Sequence, residues 1–434
     1  MKLKIFLICI AFLIQGAAYA GAGKTVYLPK NLSTVPEGNN FNDNNSEYSN
    51  KRSYQSANFV MYWSKEYGDN PMANQDISKR FDIKRLLIES ERFYAYYAKT
   101  LKVIIEGRSI SDKHKIIFLI TGGENNTAYA WGGEDKVGIL WTPASRINKE
   151  PYGVIAHELG HVFQFFANID HNKTSFNGTI NEMGAQYLLW QVYPEWTTFE
   201  NFHLKDFVKN SYKAFLHPDN AYHSPFLLEY WSEKHGKHFY GKMLREVEKN
   251  EDPVETYKRI TQINQDQFNN EVFEAASKFV TWDLKRIEQT TKQYANQHST
   301  ILKPMADSWY RISSENCPEN YGYNAIKLNI PKVGNMITAQ LRGIVGTEGF
   351  TNSNPSNAGW HFGFVAYNKD GTRFYGKIQS ENEQLIPFKV PEETTNLWLV
   401  VSGAPKNHNK LKRNSESQDQ WPYEVKVNGA ELSL

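Results

Sequence analysis

The sequence predicts an α+β unit followed by an all-β unit. Three observations carry this reading. Two short apolar runs, Lys115–Thr121 (KIIFLIT) and Val137–Trp141, precede a helix-period stretch from Pro151 to Phe166. Helical spacing then continues to about residue 300. Near residue 305 the pattern changes to alternating apolar and polar residues, as in Ala325–Ile330, with turn signals between short runs.

The elements follow in order. Residues 1–20 hold Lys2 and Lys4, an apolar run from Ile5 to Ile14, and the small-x-small triplet Ala18-Tyr19-Ala20. That is the pattern of a secretory signal peptide, too short in its apolar part to span a bilayer. The mature chain should begin near Gly21, be exported, and carry no transmembrane segment. Cys9 lies inside the apolar run, so Cys317 is the one cysteine left, expected to be a half-buried structural thiol. Residues 21–57 are rich in Asn and Ser and read as a polar, flexible leader. Asn58–Trp63 is β-prone, and Asp82–Lys99 shows helical spacing through Leu86, Phe93 and Tyr97. Lys115–Thr121 reads as a buried strand, and Val137–Trp141 as another strand, closed by Pro143. The net charge is +2, from 49 Lys and Arg against 47 Asp and Glu, which argues against a nucleic-acid partner.

Pro151–Phe166 (PYGVIAHELGHVFQFF) organises the rest. His157 and His161 stand at i and i+4, so both imidazoles leave one helix face about one turn apart and can reach one metal ion. Glu158 lies beside them, placed as a general base on a water that the metal activates. A catalytic zinc site needs a third protein ligand. Thr179–Trp190 reads as a second helix, capped by Thr179 or Asn181, with Glu182 in its first turn. Glu182 is the preferred third ligand. Asp170 and His171 are rivals, but they follow the first helix so closely that the chain would have to reverse sharply. A third ligand in an H-E-x-x-H-x-x-G-x-x-H pattern is excluded, because Gln164 and Ala167 occupy those offsets.

His-Glu-Leu-Gly-His followed by Glu182 resembles the gluzincin branch of the zincin metallopeptidases. The longer string ending at Gln164 is similar to secreted bacterial zincins, including the enhancin-like, mucin-directed group. The whole chain resembles a family of secreted zincin-like proteins from Bacteroidetes with a C-terminal β domain ending in Gln-Trp-Pro-Tyr, here Gln420–Tyr423. The resemblance implies an α+β zincin-like catalytic domain, with an N-terminal mixed sheet and a helical C-terminal part, over residues 58–304. An all-β sandwich accessory domain follows over 305–434. It also implies an edge strand for an extended substrate, assigned to Val137–Trp141. Tyr222 and His223, just before a helix starting near Ser224, resemble the gluzincin segment that stabilises the developing oxyanion.

The expected function is that of a secreted metallopeptidase with one Zn²⁺ per chain, held by His157, His161 and Glu182. Protein, peptide or glycoprotein would be the substrate. The rival is an inactive scaffold whose β-sandwich binds glycans or host surface proteins, with Trp360, Trp398 and Trp421 as a sugar platform.

Overall fold

The computed structural model of the chain describes residues 23–332, 334–380, 384–411 and 418–433. The expected signal peptide and residues 412–417 of the polar loop 406–417 lie outside them. The architecture is mixed α/β, with several sheets and helices. No helix among the described residues is long and apolar enough to cross a membrane.

The first half builds a five-stranded sheet. Its parts are β1 (Ser53–Gln55), β2 (Phe59–Trp63), helix α1 (Ile83–Ala95), β3 (Ile116–Thr121), β4 (Tyr129–Gly133) and β5 (Val137–Pro143). The strand order is β1-β2-β3-β5-β4, parallel through β2, β3 and β5, with both edges antiparallel. All six residues of β3 are buried, as its continuous apolar run requires. Alternate side chains feed two separate cores. Phe59, Met61, Phe118 and Ile120 face the helices. Val60, Tyr62, Ile117 and Leu119 face the other way, against Leu32 and Tyr48.

That second core corrects the reading of residues 21–57 as a flexible leader. From residue 23 the segment covers the far face of the sheet, with Leu32 and Tyr48 buried in it. Trp141 donates its indole N–H to the Ser33 carbonyl at 2.7 Å. A sheet apolar on both faces needs two covers, and the helices supply only one. The Asn and Ser side chains that suggested disorder cap local turns instead, as Asn40, Asp43 and Ser49 do. The edge-strand assignment changes as well. Val137–Trp141 is an inner strand, paired on both sides, and β4 is the edge.

Helix α2 (Gly153–Asp170) lies directly on β4 and β5. Gly132 and Gly138 are register partners on those strands. A Cβ on Gly132 would stand 2.1 Å from the Phe165 ring, and one on Gly138 would stand 2.3 Å from Val162 Cγ1. The paired glycines are what let the helix sit this close. Helix α3 (Thr179–Val192) follows. It is entered through Gly178, at φ +83°, so a glycine and not Thr179 or Asn181 takes the cap position. After it come α4 (Trp196–Phe199), α5 (Asn201–Lys209), α6 (Phe226–His235), α7 (Phe239–Glu246), α8 (Pro253–Thr261) and α9 (Gln265–Thr281).

From Leu302 the chain is β-rich. Strands β6 (Leu302–Pro304), β7 (Tyr310–Ile312), β8 (Tyr323–Leu328), β9 (Met336–Gly343), β10 (Trp360–Asn368), β11 (Arg373–Tyr375), β12 (Ile386–Lys389), β13 (Thr394–Gly403) and β14 (Tyr423–Asn428) form two antiparallel sheets. Their orders are β11-β10-β13-β8 and β12-β9-β14-β7-β6. Phe362, Phe364, Leu399 and Val401 of the first meet Ile337, Leu341, Tyr423 and Val425 of the second in one core, with Cys317 buried among them. The opposite face of the first sheet, through Tyr323, Ala325, Trp398 and Val400, joins the helical core beside Phe273 and Phe279 of α9.

The sugar-platform reading is therefore corrected. Trp360 is 5% exposed, and Trp398 and Trp421 are 0% exposed. Each indole N–H is spent inside the protein, on the Trp421 carbonyl, Asn296 and Asn320 respectively. Stacking on a sugar needs an open ring face, and these rings have none.

The glycine pair yields a test. Gly132→Ala should lower stability by about 1–3 kcal/mol through overpacking, read as a fall in Tm by calorimetry. An unchanged Tm would show that α2 can lift off the sheet without cost.

Candidate metal centre

Helix α2 presents His157 and His161 on one face, and α3 crosses it so that Glu182 meets them. The crossing is tight at Gly160, where a Cβ would lie 3.2 Å from the Ala185 Cα. The donor atoms form a nearly equilateral triangle. His157 Nε2 and His161 Nε2 are 3.2 Å apart, and Glu182 Oε2 is 3.2 Å from the first and 3.3 Å from the second. Ligand atoms about 2.0–2.1 Å from one tetrahedral ion stand about 3.3–3.4 Å apart, so the triangle has the size such an ion requires. Among the described residues, these three form the one group of His, Cys, Asp or Glu spaced to share a metal.

The hydrogen bonds behind the imidazoles fit the same chemistry. His157 Nδ1 is 3.1 Å from the Gln186 amide oxygen, and His161 Nδ1 is 2.9 Å from that of Gln164. An amide oxygen only accepts, so each Nδ1 carries the proton and each Nε2 is left with a lone pair facing Glu182. Three lone pairs then converge within 3.3 Å. A cation, or a proton on one ring, must lie among them. Gln164 also donates to the Asn181 carbonyl at 2.8 Å and to the Tyr240 hydroxyl at 3.2 Å, which locks α2 to α3 and α7.

The charges respond to this packing. Burial alone would raise the Glu182 pKa, but in the metal-free protein a proton held between it and the facing His157 and His161 rings outweighs burial and keeps the carboxyl well below the usual carboxylate range. His161 moves up. Burial opposes its charged form, yet the bond to Glu182 prevails. Glu158 is buried and its Oε2 has no hydrogen-bond partner. Burial pushes its pKa up, with His157 and His161 pulling the other way. A buried carboxylate oxygen without a donor is ready to take a proton.

Of the two residues proposed for the oxyanion, only Tyr222 reaches the centre. Its ring lies parallel to His157 at 6.1 Å, and burial together with the nearby Glu182 charge pushes its hydroxyl pKa up to about 12. The hydroxyl therefore stays protonated at neutral pH and can donate. His223 is corrected. Its Nδ1 meets His203 Nδ1 at 2.8 Å and its Nε2 lies 4.0 Å from Asp206, so it faces away from the triangle. His203 takes the inner position, stacked on the far side of Tyr222 at 6.4 Å. Adjacent residues in a turn cannot both point inward, and sequence alone gave no way to choose. The rival ligands are also occupied elsewhere. Asp170 accepts from Ile110 N at 2.8 Å, and His171 bonds the Val247 carbonyl at 2.7 Å.

The triangle lies in a cleft of about 920 Å³, lined by edge strand β4, the segment 144–150, and residues of α4, α5 and the loop before α6.

A family model matches residues 18–434, and its description is a family of unknown function (DUF6055). The chain belongs to the DUF6055 family. No curated protein matches this DUF6055 chain. Among solved structures it is similar to accessory secretory protein 1, 2 and 3 in Streptococcus pneumoniae, at 10% identity and a TM-score of 0.17, over 31% of this chain and 85% of that one. It is also similar to the Glycosylation Associate Protein (Gap123) complex from Streptococcus agalactiae, at 10% identity and a TM-score of 0.17, over 30% of this chain and 38% of that one. Scores this low carry no argument about fold or function.

Sequence reading of the DUF6055 chain missed Gln186 and His203. Gln186 is four residues beyond Glu182, on the same face of α3, which is the one signal that could have found it. Removing its carbonyl should free the His157 ring. For a zinc ion held by the triangle, Gln186→Ala is expected to weaken binding about 10- to 100-fold in a chelator competition. For such an ion, affinity should also fall as the pH is lowered through the raised His161 pKa, since His161 must surrender a proton that Glu182 helps it keep.

Proposed function

We propose that this chain is an exported, zinc-dependent metallopeptidase, built as a zincin-like domain carrying a C-terminal β-sandwich. The single observation behind this reading is the converging triangle of His157, His161 and Glu182, with Glu158 buried and unpartnered beside it. Residues 1–20 support export, through their charged start, apolar run and small-residue site.

Two neutral imidazoles and a carboxylate are the donor set of an open zinc site. Bound there, zinc supplies a Lewis acid that polarises a carbonyl and lowers the pKa of a water it holds to about 7. The chain's own residues do the rest. Gln164 and Gln186 fix the tautomer and aim of the two imidazoles. Glu158 takes a proton at its free oxygen and passes it to the leaving amine. Tyr222 donates its hydroxyl to the oxygen on which negative charge develops. Edge strand β4 offers unpaired backbone groups along the cleft, where an extended peptide can add as a further strand.

Elemental analysis tests the site. The purified protein should carry about one zinc per chain, and His161→Ala should lose it while still folded. Glu158→Gln should keep the metal and lower hydrolysis of a protein substrate by about 10²–10⁴-fold. An active Glu158→Gln protein would exclude Glu158 as the base. A protein that takes up no zinc on reconstitution would remove the reading altogether.

A further inference from the structure

We infer that the cleft selects peptides carrying a carboxylate close to the scissile bond, and that Arg146 with Lys149 is the subsite that reads it. The inference rests on the peptidase reading of the cleft. It starts from a sorting of the charged side chains that line the cleft. The acids are committed. Glu150 pairs with Arg85, Glu182 faces the two imidazoles, and Glu200 accepts from the Trp196 indole at 2.7 Å with His203 at 3.5 Å. Glu158 is buried beneath the triangle. The cations are not committed. Arg146 and Lys149 are both exposed and both line the cleft, and neither has an ion pair or hydrogen bond among the described residues. Arg146 is near enough for its charge to act on Glu200.

A zinc ion at +2, with Glu182 and Glu158 at −1 each, sums to zero at the triangle. With Glu200 at −1 offsetting one of the two charges on Arg146 and Lys149, the cleft offers a substrate a net positive charge on segment 144–150. That segment is anchored by more than its own chain. Ala144–Arg146 is a single 3₁₀ turn directly after β5, and Ser145 bonds Asn126 of the loop before β4 at 2.9 Å. Arg146 therefore stands on a braced turn beside the edge strand, where a peptide lying along β4 passes. Its guanidinium is a planar fork that matches a carboxylate with two parallel hydrogen bonds, and Lys149 adds a point charge. A Lys or Arg side chain on the substrate would meet repulsion from that pair.

The carboxylate can come from an Asp or Glu side chain or from a peptide C-terminus. Matched peptides distinguish these sources. One series differs only in Glu, Gln or Lys at each position flanking the cleaved bond, and each is made with a free and an amidated C-terminus. Binding to zinc-loaded Glu158→Gln protein is read by fluorescence anisotropy, and kcat/KM is measured on the parent. Carboxylate-bearing peptides should bind about tenfold or more tightly than their Lys counterparts, the size of one charge-assisted contact. Arg146→Glu should invert the order, Lys149→Glu should narrow it, and added salt should shrink it. Preference that disappears on amidation assigns the carboxylate to a chain end, and preference that survives assigns it to a side chain.

Equal binding of Glu and Lys peptides overturns the inference, as does an order unchanged in Arg146→Glu, or no binding of any peptide. Cleavage without preference overturns the inference and leaves the peptidase reading intact. Preferential binding without cleavage by the parent upholds the subsite and removes the peptidase reading.

Discussion

The candidate site depends on one close approach, that of α2 to α3 at Gly160. The residue there has no side chain, and the opposing residue is Ala185, so the helices come near enough for a first-turn glutamate on one to meet two imidazoles on the other. Gly184, next to Ala185, is just as restricted. A Cβ there would lie 1.8 Å from the Tyr240 hydroxyl and 2.9 Å from Gln164 Nε2. Wider helix spacing would leave His157, His161 and Glu182 as three separate polar groups on a buried surface, each at a cost in desolvation. The small residues and the polar cluster are thus one feature. The first permits the approach, and the second gives the buried groups partners.

Helix α2 is itself placed by the sheet beneath it. Gly132 and Gly138, opposite each other on β4 and β5, leave a hollow that Phe165 and Val162 fill. The edge strand, helix α2 and the cleft are therefore held in one packing unit. On the far side, residues 23–52 close the sheet, with Leu32 and Tyr48 answering Ile117, Leu119 and Tyr62. The helical and β-rich parts of the chain are also not independent. Trp398 and Val400 of β13 lie in the same core as Phe279 and Trp282, and the Trp398 indole bonds Asn296. A tryptophan that looks like a binding platform in the sequence works here as the join between layers.

Polar organisation in the cleft follows the same economy. Tyr222 lies between His157 and His203, nearly parallel to both, at interplanar angles of 23° and 24°. Glu200 and Trp196 hold His203 from behind. Gln186 donates to the Tyr222 carbonyl at 3.4 Å, which ties the loop before α6 to α3.

Much was legible in the sequence because it is local. Helical spacing alone puts His157 and His161 on one face, first-turn position singles out Glu182, and period-2 alternation marks the strands from Ala325 onward, though not β6 and β7. What the sequence could not determine depends on which surfaces meet. A polar Asn-rich segment reads as loose until a two-faced sheet needs covering. Gly132 and Gly133 make Ala130–Gly133 read as a turn, so the edge strand β4 is missed and the edge falls to its neighbour β5. His223 and His203 are equivalent as letters, and only the turn before α6 decides which ring faces Tyr222. The sequence by itself determined the His, His and Glu types of the candidate cluster and their spacing, because these follow from backbone periodicity. Tertiary structure alone decided the partners of each ring, the edge of the sheet and the fate of the tryptophans, because those follow from packing between segments distant in the chain.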